Sequence, residues 1–177
     1  MKKEECQIRK AVLEDIPEIL KLSKEAFAAY AQNAGISNIV APLEESCDSL
    51  KKELENKLVL VAILNGAIVG SVRVEIKPDK TAYLSRFGVS CKCQRKGIGN
   101  MLMDAVDIYM AKAGVKNLYL HTASRMLSLV RFYYGRGFFI ESTTKDRGYI
   151  RALLCKEYKT EEIKNLLSKK RKQQAVI

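Results

Sequence analysis

Gly88-Val89-Ser90-Cys91-Lys92-Cys93-Gln94-Arg95-Lys96-Gly97-Ile98-Gly99-Asn100 is the stretch on which the fold turns. An extended segment, Ala82 to Val89, runs into a basic turn that holds two glycines. Apolar residues then recur at Ile98, Met101, Leu102, Ala105, Val106 and Tyr109, which is one face of a helix. The first N–H groups of a helix have no internal partner, and the helix dipole adds partial positive charge there. Strand, glycine turn and helix therefore aim bare amides at an anion. Gly97 and Gly99 let a phosphate come close to the backbone, and Arg95 and Lys96 add two formal charges. The stretch reads as a phosphate or pyrophosphate cradle.

Two familiar cradles do not fit. A Walker A run, G-x-x-x-x-G-K-[ST], is absent. A dinucleotide fingerprint, G-x-G-x-x-G, would place its third glycine at Leu102, and no acid ends the next strand. What remains is Q-x-x-G-x-G, from Gln94 to Gly99. It resembles the acyl-CoA pyrophosphate loop of the GNAT superfamily of N-acetyltransferases.

Around this stretch the sequence reads as alternating short elements. Gln7 to Ala11 is extended, and Glu14-Asp15-Ile16-Pro17 opens a helix with acids and a proline in its first turn. That helix follows Ile16, Ile19, Leu20, Ser23, Phe27 and Tyr30, and Asn33 to Pro42 forms a loop. Ser46 to Asn56 is a second, short amphipathic helix. Leu58–Leu64 and Ala67–Ile76 are strands joined by Asn65-Gly66, a strong hairpin signal. In the second of them, Ile68, Gly70, Val72, Val74 and Ile76 alternate with the rest. Lys77-Pro78-Asp79-Lys80 turns into a third strand, Thr81–Val89, which feeds the glycine turn. The helix after it ends at Gly114, and Lys116–Thr122 is the next strand. A helical crossover between two strands makes them parallel, whereas the preceding meander is antiparallel. Met126 to Phe138 reads as a helix begun by Ser124 and ended at Gly137. Phe138–Thr144 and Gly148–Glu157 supply a last pair of strands, and Lys159–Ile177 a further short helix before a basic run.

Phe132-Tyr133-Tyr134-Gly135-Arg136-Gly137-Phe138 resembles a second signature of the same superfamily, F-Y-x-x-x-G-F. Two motifs in the family's order, with the expected strand between them, extend the resemblance over roughly residues 6–158. It implies an α/β (α+β) fold: a mixed, mostly antiparallel sheet of about seven strands, helices on both faces, splayed between strands four and five. It also implies one domain over residues 1–158 with a basic tail over 159–177.

The resemblance further implies an activity, transfer of an acetyl group from acetyl-CoA to a primary amine. Phe87, Gly88 and Val89 would pair with the pantothenate arm, and one of their N–H groups would meet the thioester oxygen. The pyrophosphate would rest on Gln94, Arg95, Lys96, Gly97, Ile98, Gly99 and Asn100. Tyr133 matches the general acid that protonates the departing thiolate; Tyr134 is turned away from it on the helix. The family often places a carboxylate base on the fourth strand, but the matching positions here are Tyr83 and Ser85. Glu75 and His121 are the alternative bases. An exposed strand charge is the plainer reading of Glu75, a structural strand-end residue that of His121, and a solvent relay is a third option. The pantetheine-binding Asn of the family is replaced at Met126, with Ser124, Arg125 and Ser128 nearby.

Composition narrows the rest. The chain has 177 residues, 47% of them apolar, and no run approaches the roughly 20 residues of a membrane span. No signal core follows the N-terminus, so the expected location is cytoplasmic. Cys6, Cys47, Cys91, Cys93 and Cys155 are expected as free thiols, and no metal site is expected. A net charge of +11 suits a polyanionic ligand, and a good part of it lies in the tail near Ser168. The resemblance implies that the acceptor would be met by residues between Tyr30 and Glu45 and between Thr143 and Arg151. Glu44, Glu45 and Asp48 could receive a cationic amine, or could simply favour a helix start. A catalytically silent CoA-binding module and a basic RNA-associated protein are the alternative functions. Family members are often homodimers.

Overall fold

The computed structural model describes residues 6–37, 44–159 and 168. In chain order the elements are β1 (Cys6–Lys10), α1 (Ile16–Ala34), α2 (Cys47–Asn56), β2 (Leu58–Leu64), β3 (Ala67–Ile76), β4 (Thr81–Val89), α3 (Ile98–Ala113), β5 (Asn117–Ala123), α4 (Leu127–Tyr134), β6 (Phe139–Thr144) and β7 (Arg151–Glu157). The strands form one seven-stranded sheet in the order β1-β2-β3-β4-β5-β7-β6. β4 and β5 are parallel, whereas β1/β2, β2/β3, β5/β7 and β6/β7 are antiparallel. This is the mixed, mostly antiparallel sheet expected. The expected tail helix lies outside the described residues.

Packing divides the described residues into two compact units, one comprising those up to Glu75 together with Leu84–Met103, the other Ile76–Tyr83 together with those from Asp104 onward. In the first, Asp15 makes the turn from β1 into α1. Its carboxylate takes two bonds from Arg9, at 2.6 and 2.9 Å, and a third from the Val12 N–H. Gly35, at φ 64°, closes α1 in the left-handed region. One buried apolar cluster of this unit is Ile16, Ile19, Leu50, Val59 and Val61. Asn65 and Gly66 have φ of 52° and 81°, both left-handed, as a two-residue hairpin turn requires.

The alternation expected in β3 understates its burial. Ser71 and Arg73, on the face opposite Val72 and Val74, are buried too. The Arg73 guanidinium bonds both oxygens of Glu45 at 2.6 Å, and Glu53 of α2 at 2.6 Å. A buried cation persists only when paired.

In the second unit Leu118, Leu120 and Thr122 of β5 are buried, and Asn117, Tyr119 and His121 point to the half-exposed face. α4 is shorter than the sequence implies, ending at Tyr134 instead of Phe138. Gly135-Arg136-Gly137 forms the turn: Gly137 has φ 87°, and the Phe138 N–H returns to the Tyr133 carbonyl. Ser124 is not the helix cap, because its hydroxyl donates to the Ile150 carbonyl at 3.1 Å and Met126 takes the cap position.

Candidate active site

In the first unit, β4 carries an irregularity just before the expected pantothenate residues. Arg86 has φ 53° inside the strand, the conformation of a bulge. Its Nε lies 3.5 Å from the same Glu45 carboxylate that holds Arg73. Past the bulge, Phe87, Gly88 and Val89 are half-buried. A Cβ built at Gly88 would stand 3.1 Å from the Ala26 Cβ, so the missing side chain lets α1 lie against this strand. The Ser90 N–H bonds the Val69 carbonyl at 2.8 Å and fixes the strand end.

A 3-10 turn, Cys91–Cys93, then turns the chain towards α3. Gln94 is extended, Arg95 has φ 62° and Gly97 has φ 79°. The first helical bond runs from the Met101 N–H to the Gly97 carbonyl at 3.1 Å. The N–H groups of Ile98, Gly99 and Asn100 come before that bond, in the positions that lack an intrahelical acceptor. Among the described residues, none beyond its chain neighbours comes within 4 Å of where a Gly97 Cβ would be, so the approach is open. Gln94, Arg95, Lys96, Gly97 and Asn100 are exposed, whereas Ile98 is buried and anchors the turn. Successive amides in mixed left- and right-handed conformations make an anion-binding concavity. Gly70 of β3 sets the depth of this anchor. A Cβ there would stand 3.0 Å from Leu102 Cδ1 and 3.3 Å from Ile98 Cγ2.

The second unit pairs two candidates from different strands. Tyr83 lies beside Tyr119 in the parallel register of β4 and β5. His121 is two residues further along β5, and its Nδ1 is 2.8 Å from the Tyr83 hydroxyl. Burial holds the His121 imidazole below the usual histidine range. The Arg151 and Arg147 charges push the same way, and Asp146 opposes them. Arg151 in turn holds Asp146 through bonds of 2.6 and 3.2 Å, with Thr144 adding a third at 2.9 Å. These bonds lower the Asp146 carboxyl to about 2.

Tyr133, on α4, is 4% exposed and packs edge-to-face against Phe132 and Phe138, with ring centroids 5.4 and 5.5 Å away. Tyr134 is half-exposed, and its hydroxyl accepts from the Ile140 N–H at 3.4 Å. Glu75 is an exposed strand-end charge 3.7 Å from the Lys57 ammonium. Of the acidic trio, Glu44 and Asp48 are exposed, but Glu45 is committed to Arg73 and Arg86 and is not available to an amine.

Sequence reasoning missed two charged clusters. One is Glu45 and Glu53 around Arg73. Its signal was an arginine inside Ser71-Val72-Arg73-Val74. The other is Asp107, on the apolar side of α3 and buried. It accepts from Arg136 at 2.8 Å, Lys156 at 2.8 Å and the Tyr158 hydroxyl at 2.7 Å. Cys6, Cys47, Cys91, Cys93 and Cys155 are free thiols, and the described residues contain no cluster able to hold a metal ion.

Comparison with known proteins places this arrangement. A family model described as acetyltransferase (GNAT) family matches residues 18–138, more than half of the chain. The PaiA N-acetyltransferase from Thermoplasma acidophilum, solved in complex with coenzyme A, is 23% identical. The match covers 87% of this chain and 99% of that one, with a TM-score of 0.77. The ribosomal-protein-S18-alanine N-acetyltransferase from Escherichia coli is 17% identical over 86% of this chain and 94% of that one, with a TM-score of 0.70. YncA, a putative acetyltransferase from Salmonella typhimurium solved with its cofactor acetyl-CoA, is 16% identical over 86% and 94%, also at 0.70. At such identities the likeness is one of fold. No curated protein matches the chain.

Proposed function

We propose that this chain, which belongs to the GNAT acetyltransferase family, moves an acetyl group from acetyl-CoA to a primary amine by direct attack in a ternary complex. The observation that carries this reading is the turn from Gln94 to Asn100, with left-handed Arg95 and Gly97 and open space above Gly97. Its amides and the charges of Arg95 and Lys96 suit a diphosphate. Phe87, Gly88 and Val89, past the Arg86 bulge, would pair with the pantetheine arm. One of their N–H groups would stabilise the oxyanion that forms at the thioester carbon. Acetyl-CoA supplies an activated acyl carbon and a thiolate leaving group.

Tyr133 would donate its phenolic proton to that thiolate as the C–S bond breaks. Tyr133 is buried, and its ring is held edge-to-face between Phe132 and Phe138. For the base, the geometry favours His121 over Glu75. His121 is half-buried, bonded to Tyr83 and held below the usual histidine range by burial, whereas Glu75 sits beside Lys57 in solvent. The free thiols fit a reducing, cytoplasmic setting.

Calorimetry with acetyl-CoA, then free-thiol release across a panel of amines, tests the reading. The expected result is binding, and turnover with some amine. Gly97→Val should weaken acetyl-CoA at least about tenfold, because a branched side chain resists left-handed φ. No heat with acetyl-CoA or CoA from folded protein overturns the proposal. Binding without transfer to any amine would favour a silent CoA-binding module, which the lack of a carboxylate in β4 also supports.

A further inference from the structure

We propose that Tyr83 and His121 form a two-step proton relay in which the Tyr83 hydroxyl, and not the imidazole, meets the attacking amine. This rests on the acetyl-transfer reading above and deepens it by assigning a role to Tyr83. The supporting geometry is the 2.8 Å contact between the hydroxyl and Nδ1. In this relay the phenol donates, Nδ1 accepts and the neutral ring carries its proton on Nε2. A hydroxyl oxygen that donates its proton can also accept an N–H.

The step balances as follows. As the amine lone pair closes on the acyl carbon, the nitrogen becomes cationic and strongly acidic. Its N–H bond breaks, the electron pair stays on nitrogen, and an O–H bond forms at Tyr83. At the same time the original Tyr83 O–H bond breaks and an Nδ1–H bond forms on His121. Tyr83 ends unchanged, His121 ends as imidazolium, and one positive charge has moved from the nitrogen to the ring. A free phenolate is never formed, so the weak acidity of a phenol is no obstacle.

The surroundings suit both halves of the cycle. Tyr119 on β5 and Leu153 on β7 occupy the same sheet face, Leu153 directly opposite His121. Arg151, two residues from Leu153, is on that face as well, and Asp146 and Arg147 come from the turn between β6 and β7. Arg151 pairs with Asp146 at 2.6 Å, and the Arg151 and Arg147 charges both disfavour an imidazolium. An imidazolium formed here releases its proton readily to solvent, which resets the relay.

His121 is the single histidine of the chain, so nitrogen NMR of the full protein reports on this ring alone. The expected spectrum is the Nε2–H tautomer with a hydrogen-bonded Nδ1, and Tyr83→Phe should move the Nδ1 resonance. In thiol-release assays with 1,4-diaminobutane, lysine and an alanine-terminated peptide, Tyr83→Phe and His121→Gln should each lower kcat by about 10²-fold. Their double variant should be no worse than either single one, since the two groups act as a unit. The KM for acetyl-CoA should not change. An Nδ1–H tautomer, or losses that multiply in the double variant, overturns the relay while leaving acetyl transfer standing. A wild-type protein that binds acetyl-CoA but releases no thiol with any of the amines overturns the transfer reading and the relay together.

Discussion

Arg73 has no exposed surface, so its charge depends entirely on Glu45 and Glu53. Removing one partner leaves an uncompensated buried charge, and Glu45→Ala should cost about 3–5 kcal/mol in urea unfolding. The same cluster responds to acid. Burial pushes the Glu53 carboxyl up, but bonds from Arg73 and Lys57 outweigh it and hold the group below its ordinary value. A carboxylate depressed in the folded state contributes stability that is present above about pH 4.3 and is lost as pH falls through the lower folded value. Asp15, lowered chiefly by Arg9, acts in the same direction, so the unfolding midpoint should fall steeply below that pH. His121 gives a different limb. Its depressed folded value means that the native state binds fewer protons than the unfolded one, so stability declines as pH drops below about 6.5. If it is the base, kcat should rise through an apparent pKa below 6.5 and then stay level, and His121→Gln should abolish that limb. Tyr133→Phe should lower kcat by about 10²-fold or more while acetyl-CoA still binds, as calorimetry would show.

At the scale of elements, the site depends on how closely α3 rests on β3. Gly70→Val would drive branched methyls into Leu102 and Ile98, which line the first turns of α3. Overpacking of this kind costs about 1–3 kcal/mol. It should also weaken acetyl-CoA binding, because the amides of Ile98 and Gly99 move with the helix. Calorimetry beside a thermal melt would separate the two effects. Much at this scale was legible in the sequence. The bounds of β2, β3 and β4 match its reading, because Asn65-Gly66 and Lys77-Pro78-Asp79-Lys80 admit few other conformations. The start and stop of α4 were misread, since Ser124 spends its hydroxyl on a carbonyl 26 positions away and not on a helix amide. Pairings of this reach have no local signature. Arg73 with Glu45 spans 28 positions and Tyr83 with His121 spans 38. The sequence offered Tyr83 and His121 one at a time, and only the strand register joins them.

For the molecule as a whole, charge is the coarse variable. Lysines and arginines number 31 against 20 acids, and the basic run near the C-terminus falls outside the described residues. We propose that residues 1–158 make up the acetyltransferase domain and that the remainder is an appended basic tail. Deleting residues 160–177 should leave acetyl-CoA affinity unchanged in calorimetry. Any retention on RNA should be salt-sensitive and should disappear with the tail, since screening removes contacts of that kind. Loss of acetyl-CoA binding on deletion would show that the tail belongs to the domain.

The carboxylate of Asp107 has a consequence for how the protein is made. Its donors Arg136, Lys156 and Tyr158 lie 29, 49 and 51 positions downstream. A ribosome adding residues in order therefore finishes α3 well before the native donors to this acid exist. Arg136 comes first, and the acid lacks its other two native donors until the final strand emerges. A nascent chain halted before Lys156 should thus be a client for chaperones, whereas one extended past Tyr158 can lock.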